Sequence, residues 1–210
     1  MLRNLTAIAL IAGLLLAGCA KERVVLTDEM LQVGENLPAD FSGSWARDYA
    51  RSDNVNDALR ETYYQLSRRN RNRGMPGMGG ADVMRPVGRD FDDIMPLARL
   101  AELITRPDEL TISQTDNEIL IERLDDFAIA CSFYDGQSHD SGSDYGLELC
   151  GWDDNRLVSH LDLPGGLQVT YRLAISDDGK QLRVVTTVAS DTSKLPFTLS
   201  HFYWKFEKAK

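Results

Sequence analysis

The chain has 210 residues, a formal net charge of −9 and 43% hydrophobic residues. This length suits one domain that is large enough to bury a proper hydrophobic core. The acidic balance argues against a general nucleic-acid-binding protein, because phosphate backbones attract basic surfaces. We therefore expect no nucleic-acid partner.

The first nineteen residues form an apolar leader. One charged residue, Arg3, precedes an apolar run over 5–17, and the leader ends in Leu16-Ala17-Gly18-Cys19. The run is about thirteen residues long, short of the roughly 20 needed to span a bilayer, which indicates a secretory signal. The last four residues resemble the lipobox of bacterial lipoproteins. This resemblance implies a signal peptide over 1–18, cleavage before Cys19, and a diacylglyceryl group on the Cys19 thiol.

The same resemblance implies a location. Three acyl chains would make membrane attachment effectively stable, since each buried methylene contributes about 0.8 kcal/mol. Ala20 follows the cysteine, whereas an aspartate at this place favours inner-membrane retention in the enteric lipoproteins. We expect an outer-membrane protein that faces the periplasm, with residues 19–40 as the lipidated N-terminus and tether. The alternative is an ordinary signal peptide in which Cys19 has no special role.

A barrel domain is expected over 41–210, opening with a strand over 41–46 and interrupted at about 52–107 by a helical and flexible insertion. One helix is predicted over 52–70, because apolar residues recur there on one face of a 3.6-residue period. A second short helix is predicted over 94–104. Between them, the glycine- and methionine-rich stretch 74–80 predicts a flexible loop.

From residue 109 onward the apolar residues alternate with polar ones, which predicts β-strands separated by short turns. With the strand at Trp45 included, about eight or nine strands form a mainly β, antiparallel up-and-down barrel, because closure removes exposed edges. The strands after the first are predicted over 109–115, 118–124, 127–134, 145–153, 156–163, 167–175, 182–188 and 196–207.

The opening strand carries a second resemblance. Gly43-Ser44-Trp45 resembles the Gly-x-Trp of lipocalins, whose tryptophan plugs the barrel base beside a cation from the last strand. Lys205 would supply that cation, although lipocalins use arginine. The chain is also similar to uncharacterised proteobacterial lipoproteins that share the segments 110–112 and 152–157, read here as Leu-Thr-Ile and Trp-Asp-Asp-Asn-Arg-Leu. These resemblances imply a lipocalin-like barrel and bring no activity with them.

Two further cysteines remain once Cys19 is assigned to lipid. An even pair in an oxidising compartment predicts a disulfide between Cys131 and Cys150. They flank a predicted hairpin centred on 140–141, which would put them opposite each other. The predicted faces disagree, however, because Cys131 shares a face with apolar residues, whereas Cys150 shares one with the polar Glu148. A bulge or a shifted register would reconcile them, and catalytic or metal-binding thiols are the alternative.

No other residues predict catalysis. The chain contains no known catalytic or phosphate-binding motif, and its histidines form no paired arrangement. His139 lies among Asp135, Asp140 and Asp144, but this spacing matches no calcium loop, so we expect a solvated loop and no metal. His201, with apolar residues on both sides, is expected to be a structural strand residue. We therefore predict a non-enzyme without cofactors.

Two functions compete. The first is a membrane-anchored periplasmic lipoprotein whose barrel binds an apolar or amphipathic envelope ligand, with the insertion as its lid. The second is a protein-interaction module, either an envelope-assembly partner or an inhibitor of C-type lysozyme, whose Ser-Gly-x-x-Tyr motif resembles 141–145. A basic cluster could contact a ligand or partner because guanidinium groups match phosphate geometry; alternatively, it is a solvated helix end. Its members are Arg68, Arg69, Arg71 and Arg73.

Overall fold

The computed structural model describes residues 26–32, 37–73, 87–124, 128–135, 137–140 and 146–207, and for 70–73 and 87–89 only the backbone. These residues form ten strands and four helices. The strands are β1 (Gly43–Asp48), β2 (Glu109–Gln114), β3 (Glu118–Arg123), β4 (Ile129–Tyr134), β5 (Gln137–His139), β6 (Leu147–Asp153), β7 (Arg156–Leu163), β8 (Leu167–Ile175), β9 (Gln181–Ser190) and β10 (Phe197–Phe206). The helices are α1 (Asp28–Leu31), α2 (Val55–Arg73), α3 (Val87–Asp92) and α4 (Met95–Ile104).

All ten strands belong to one antiparallel sheet in the order β5-β4-β3-β2-β1-β10-β9-β8-β7-β6. Because β5 and β6 lie beside each other, the sheet curls into a nearly closed barrel. This confirms the predicted mainly β barrel with a helical insertion between its first two strands. The first strand pairs with the last, so the gap in the barrel falls between β5 and β6. We call this junction, with the adjoining part of β4, the seam.

The start of α2 differs from the prediction for a physical reason. Ser52 and Asp53, at the predicted start of this helix, bind the neighbouring strand β10 instead: Ser52 Oγ accepts the Phe202 N–H at 3.0 Å. Asp53 Oδ2 accepts the Ser200 N–H at 2.7 Å. The helix therefore begins three residues later, where Asn54 Oδ1 accepts the backbone N–H of residue 56.

Side chains fill the barrel interior. Helix α4 buries Leu97, Ala98 and Ala101 in the same core cluster as the inward residues of the strands. Arg123 Nη1 donates to the Ile104 carbonyl at 3.0 Å and ties the end of α4 over this interior. A cavity lined by the end of α4 and by inward residues of the strands measures about 20 Å³, enough for about one water molecule. The described interior is therefore a packed core.

The predicted disulfide is confirmed, and it lies in the seam. Cys131 and Cys150 are bonded, with their Cα atoms 5.5 Å apart. The expected simple hairpin is wrong, because β5 follows β4 and pairs with it. Alternation of the antiparallel strands around the barrel makes β4 and β6 parallel where they meet. The neighbouring contact between Phe133 and Trp152, with ring centroids 6.1 Å apart, follows the same register.

The side chain of Glu148 resolves the conflict between the two faces. Only 8% of this residue is exposed, so it points inward with Cys150. Ser159 Oγ donates to its carboxylate at 3.0 Å, and the backbone of Ala130 on β4 also hydrogen-bonds to it. Burial raises the pKa of Glu148 despite these bonds. The carboxylate thus forms a second link across the seam.

Part of the expected tether is docked on the barrel. Residues 26–32, here called the anchor-proximal segment, pack on the outer side of β6 at Gly151 and pair with β5 through Gln32 and Gln137. A Cβ atom on Gly151 would lie 2.8 Å from the Met30 carbonyl oxygen, so this close approach requires glycine. The segment therefore covers the seam from outside.

We expect Gly151→Ala to displace the anchor-proximal segment while the barrel stays folded, because the added methyl group meets backbone on the outer surface. Hydrogen exchange at 26–32 should accelerate, whereas exchange in β8 and β9 should not change. Lys194→Ala is the control, since it changes an exposed side chain in the turn between β9 and β10, away from β6. Unchanged protection at 26–32 in Gly151→Ala would show that the segment is not held there.

Candidate functional site

A polar groove of about 360 Å³ lies at the end of the barrel where β1 ends and β10 begins. We call it the mouth groove. It is formed by the end of β1, the loop into α2, the last turn of α4 and the first half of β10. Its lining comprises Arg47, Tyr49, Ser52, Asp53, Asn54, Val55, Glu102, Thr105, Arg106, Asp108, Leu199 and His201.

Hydrogen bonds hold the walls of the mouth groove together. The Asp53 N–H donates to the Ser200 carbonyl at 2.9 Å, which fixes the loop against β10. Arg47 Nη1 donates to the Thr105 carbonyl at 3.0 Å, which ties β1 to the end of α4. Thr105 Oγ1 in turn donates to the Ala101 carbonyl at 2.7 Å. The groove is therefore a preformed feature of the fold.

Two polar atoms at the floor of the mouth groove have no hydrogen-bond partner among the described residues. They are His201 Nδ1 and Arg47 Nε, and both are buried. His201 is only 1% exposed, and its ring hydrogen-bonds to the backbone of Asp53. Leaving a buried polar group unpaired costs about 1–3 kcal/mol. One acceptor, on the neutral imidazole, and one donor, on the guanidinium, therefore stay unpaired in the protein beneath the groove.

Charge in the mouth groove is nearly balanced. Arg47 and Arg106 face three carboxylates, those of Asp53, Glu102 and Asp108. Burial, together with the nearby positive charge of Arg47, lowers the pKa of His201 to about 4, so the imidazole is neutral at pH 7. This arrangement suits an uncharged or zwitterionic polar ligand better than an anion.

The buried histidine predicts a loss of stability in acid. Because the folded pKa of His201 lies near 4 and the unfolded value is 6.5, the folded state binds protons more weakly. Stability is fully present above pH 6.5 and falls toward pH 4, by about 2 kcal/mol between pH 7 and pH 5. His201→Gln should abolish this fall in urea unfolding experiments at each pH.

Glu148 supplies the matched comparison, because its raised pKa has the opposite sign. Its ionised form penalises folding, so the penalty is present above the folded pKa and disappears as the pH falls toward 4.5. Glu148→Gln should therefore steepen the loss of stability between pH 7 and pH 5. An acid-induced loss that is the same in His201→Gln and in the wild type would contradict the assignment to His201.

The opposite end of the barrel holds the three residues of the lipocalin resemblance. Trp45 is fully buried, its Nε1 donates to the Phe41 carbonyl at 3.0 Å, and Lys205 Nζ lies 5.3 Å from its ring centroid. A Cβ atom on Gly43 would lie 2.6 Å from Lys205 Cε, so the lysine side chain passes directly over the glycine to reach the ring.

The chain matches no protein-family model, no curated protein and no solved structure.

The remaining predicted site residues are not brought together with the mouth groove. Arg68 and Arg69 are exposed near the end of α2, Arg71 and Arg73 belong to the same helix by their backbone, and Cys19 lies outside the described residues. Within the described part of the chain, no helix is both long and apolar enough to cross a bilayer.

The loop proposed as an alternative metal site shows protein contacts. The imidazole of His139 packs edge-on against Tyr134, with ring centroids 5.8 Å apart. Asp144 lies outside the described residues. Among the residues that the structure does describe, no group of three or more His, Cys, Asp or Glu side chains could hold a metal ion.

Sequence reasoning missed the mouth groove and its histidine. The alternation of β10 could have indicated this histidine, because His201 occupies an inward position between Leu199 and Tyr203. A polar residue at an otherwise apolar position either pairs inside the core or faces a site, and the pattern alone does not distinguish these. The loop and helix that complete the groove come from the insertion, whose position over the barrel no periodicity predicts.

Proposed function

We propose that the chain is a lipid-anchored outer-membrane lipoprotein that faces the periplasm and whose barrel is a non-enzymatic binding module. The observation that carries the binding role is the mouth groove, with its buried, unpartnered acceptor on His201 and donor on Arg47. The anchor and the location rest on the leader and its lipobox resemblance. The resemblance to lipocalins supports a binding role without specifying the ligand.

The mouth groove is a better binding site than the barrel interior. Sites for small molecules usually measure about 300–1,000 Å³. The groove falls in this range at about 360 Å³, whereas the interior cavity offers about 20 Å³. The ligand is therefore a polar molecule, or the polar part of an amphipathic one, and its apolar part is not enclosed by the barrel.

The relative positions of the anchor and the groove agree with this role. The anchor-proximal segment lies on the seam, between β5 and β6. In a ring of ten strands, β1 and β10 are the strands farthest from that seam. Since β1 and β10 contribute to the mouth groove, the groove lies at the end of the barrel on the side away from the anchor-proximal segment. A protein held at its seam side by lipid would present the groove to the periplasm.

Lipid anchoring predicts incorporation of labelled palmitate at Cys19. Cells that express the full chain should yield a labelled mature protein, and Cys19→Ser should abolish the label. Cys150→Ser with Cys131→Ser is the matched control, because these cysteines are bonded in the barrel and their loss should leave the label in place. Equal labelling of Cys19→Ser and the wild type would exclude this anchor.

Ligand binding in the mouth groove predicts a bound mass that depends on the groove walls. Native mass spectrometry of protein purified from its own envelope should reveal an adduct. Glu102→Trp should remove it, because the indole fills the groove from an exposed position on α4. Arg99→Trp, one turn earlier and also exposed, should retain it. No adduct, or an adduct kept by Glu102→Trp, would contradict binding at this site.

A protein partner is the second candidate function, and the exposed Arg68 and Arg69 favour it. They lie on a helix whose first residue, Val55, lines the mouth groove. Arginine is enriched at energetically important positions of interfaces. Changing the four arginines of the cluster to glutamate should remove partners from crosslinked envelope pull-downs. Changing Arg156 and Arg172 on the barrel to glutamate is the control. If the wild type, the cluster variant and this control recover the same partners, the basic cluster is not a partner-binding surface. The 141–145 motif of the inhibitor alternative lies outside the described residues.

A further inference from the structure

The outer surface beside the seam carries a group of exposed leucines. Leu120 on β3 lies opposite Ala130 on β4. The parallel register set by the disulfide places Leu149 of β6 next to Ala130 across the seam. Leu147 is the preceding outward residue of β6, and Leu124 follows the end of β3. We call these five residues the seam face.

The seam face is exposed to a degree unusual for leucine. Leu124 is 71% exposed, Leu147 is 51% exposed and Leu120 is 38% exposed. Single exposed apolar residues need no explanation, but clusters of them mark contact surfaces. These exposed leucines are therefore expected to contact another surface.

The position of the chain end identifies the occupant. The anchor-proximal segment begins at Leu26, whose Cδ2 atom lies 3.4 Å from the Cβ position of Gly151 on β6. Six residues separate Leu26 from Cys19. Fully extended, they reach about 25 Å. Ten strands spaced about 4.8 Å apart and tilted by about 40° enclose a cylinder roughly 20 Å across. The segment is too short to pass around the barrel, so lipid on Cys19 would hold the seam side at the bilayer.

We infer that the seam face rests on the membrane interface, with Leu120, Leu124 and Leu147 in contact with the headgroup and upper acyl region. This inference depends on the proposed lipid anchor at Cys19. Leucine side chains on a tethered protein gain from leaving water without the entropic cost of bringing the protein to the surface.

Two exposed carboxylates, one of them on β3 between Leu120 and Leu124, limit the kind of lipid that the seam face can contact. Asp162 lies opposite Leu147 in the β6–β7 register, and Glu122 is the next outward residue after Leu120 on β3. Both are exposed. Anionic headgroups would repel these carboxylates, so the surface fits zwitterionic headgroups such as phosphatidylethanolamine.

The test places an environment-sensitive fluorophore on each side of the barrel. Leu147→Cys and Thr198→Cys are made in the full, lipidated chain and labelled with a nitrobenzoxadiazole group. The introduced thiol is the reactive one, because Cys131 and Cys150 are bonded and Cys19 carries lipid. Thr198 is the matched control, an exposed outward residue of β10 on the opposite wall. Leu124→Cys repeats the seam-face measurement at a more exposed position.

In phosphatidylethanolamine–phosphatidylcholine vesicles that contain doxyl-labelled lipid, the label at 147 should be quenched several-fold more than the label at 198. Replacing part of the zwitterionic lipid with phosphatidylglycerol should reduce the quenching at 147. Equal quenching at both positions overturns the inference, as does a label at 147 that is shielded from water but not quenched, which would indicate a protein partner.

Flotation with the same vesicles separates the two proposals. If the protein floats but shows equal quenching at 147 and 198, the membrane contact of the seam face is contradicted and the proposed anchor stands. If the protein does not float, the proposed anchor at Cys19 is contradicted, and the inference that depends on it is contradicted too.

Discussion

Replacing both Cys131 and Cys150 with alanine is expected to lower the free energy of unfolding by about 3 kcal/mol. The bond joins residues 19 positions apart, and a loop of that length restricts the unfolded chain by about this amount in the chain-entropy description. The bond also spans the one junction at which the strand order of the sheet ends. Its loss should therefore open the seam before the rest of the barrel.

Urea unfolding of the oxidised wild type and the double variant measures this difference. The wild type reduced with dithiothreitol is the matched control, because it has the same broken bond and an unchanged sequence; it should unfold like the variant. Hydrogen exchange should accelerate first in β5 and β6. A loss below about 1 kcal/mol, or uniform acceleration over all strands, would show that the bond does not hold the seam.

Trp45→Ala should cost about 3–5 kcal/mol, the usual range for deleting a large buried aromatic side chain. Trp45 is fully buried, and its Nε1 donates a hydrogen bond to the Phe41 carbonyl. Trp45→Phe should cost less, because it keeps most of the ring volume and loses the hydrogen bond, for which the expected loss is about 1–2 kcal/mol.

A double-mutant cycle isolates the contribution of the cation over the ring. Lys205→Met removes the charge that lies 5.3 Å from the Trp45 centroid, and Lys205→Arg keeps it. The coupling between Lys205→Met and Trp45→Leu, which removes the aromatic ring, should be about 0.5–1 kcal/mol, the range for a cation over an aromatic ring at an exposed position. A cost of Trp45→Ala below about 1 kcal/mol would show that this end of the barrel is not part of the cooperative core.

Alternation of apolar and polar residues predicted most strands well, because it depends only on which face of the sheet is buried. The strand over 156–163 begins and ends where it was predicted, and α4 begins one residue later than predicted. Turn residues between successive strands also correctly favoured antiparallel neighbours. These features are local, so the sequence contains them directly.

Features that depend on tertiary contacts were not predictable. The three-residue β5 is too short to show a period, and the pairing of β1 with β10 places the opening of the barrel away from the chain ends. Glu148 breaks the apolar pattern of β6, yet it points inward because Ser159 and the backbone of Ala130 hydrogen-bond to it across the seam. Neither partner is near it in sequence, so the pattern by itself suggested an outward residue.

The candidate site was the least predictable part. Whether a barrel is hollow depends on the summed volume of inward side chains and on what enters its mouth. Here α4 adds Leu97, Ala98 and Ala101 to the core, which leaves no room for an enclosed lipid in the described interior. The insertion that resembled a lid in the sequence thus packs as a plug and forms one wall of the mouth groove.

Titration with N-phenyl-1-naphthylamine, which fluoresces strongly in apolar cavities, most directly tests whether the barrel interior is packed and therefore unable to enclose an apolar ligand. With native protein, the fluorescence should stay at its baseline, because the interior cavity of about 20 Å³ cannot hold the probe. Glu102→Trp and Arg99→Trp should behave identically. Saturable one-to-one binding that persists in Glu102→Trp and is lost on filling the interior with Val184→Phe would contradict the packed barrel.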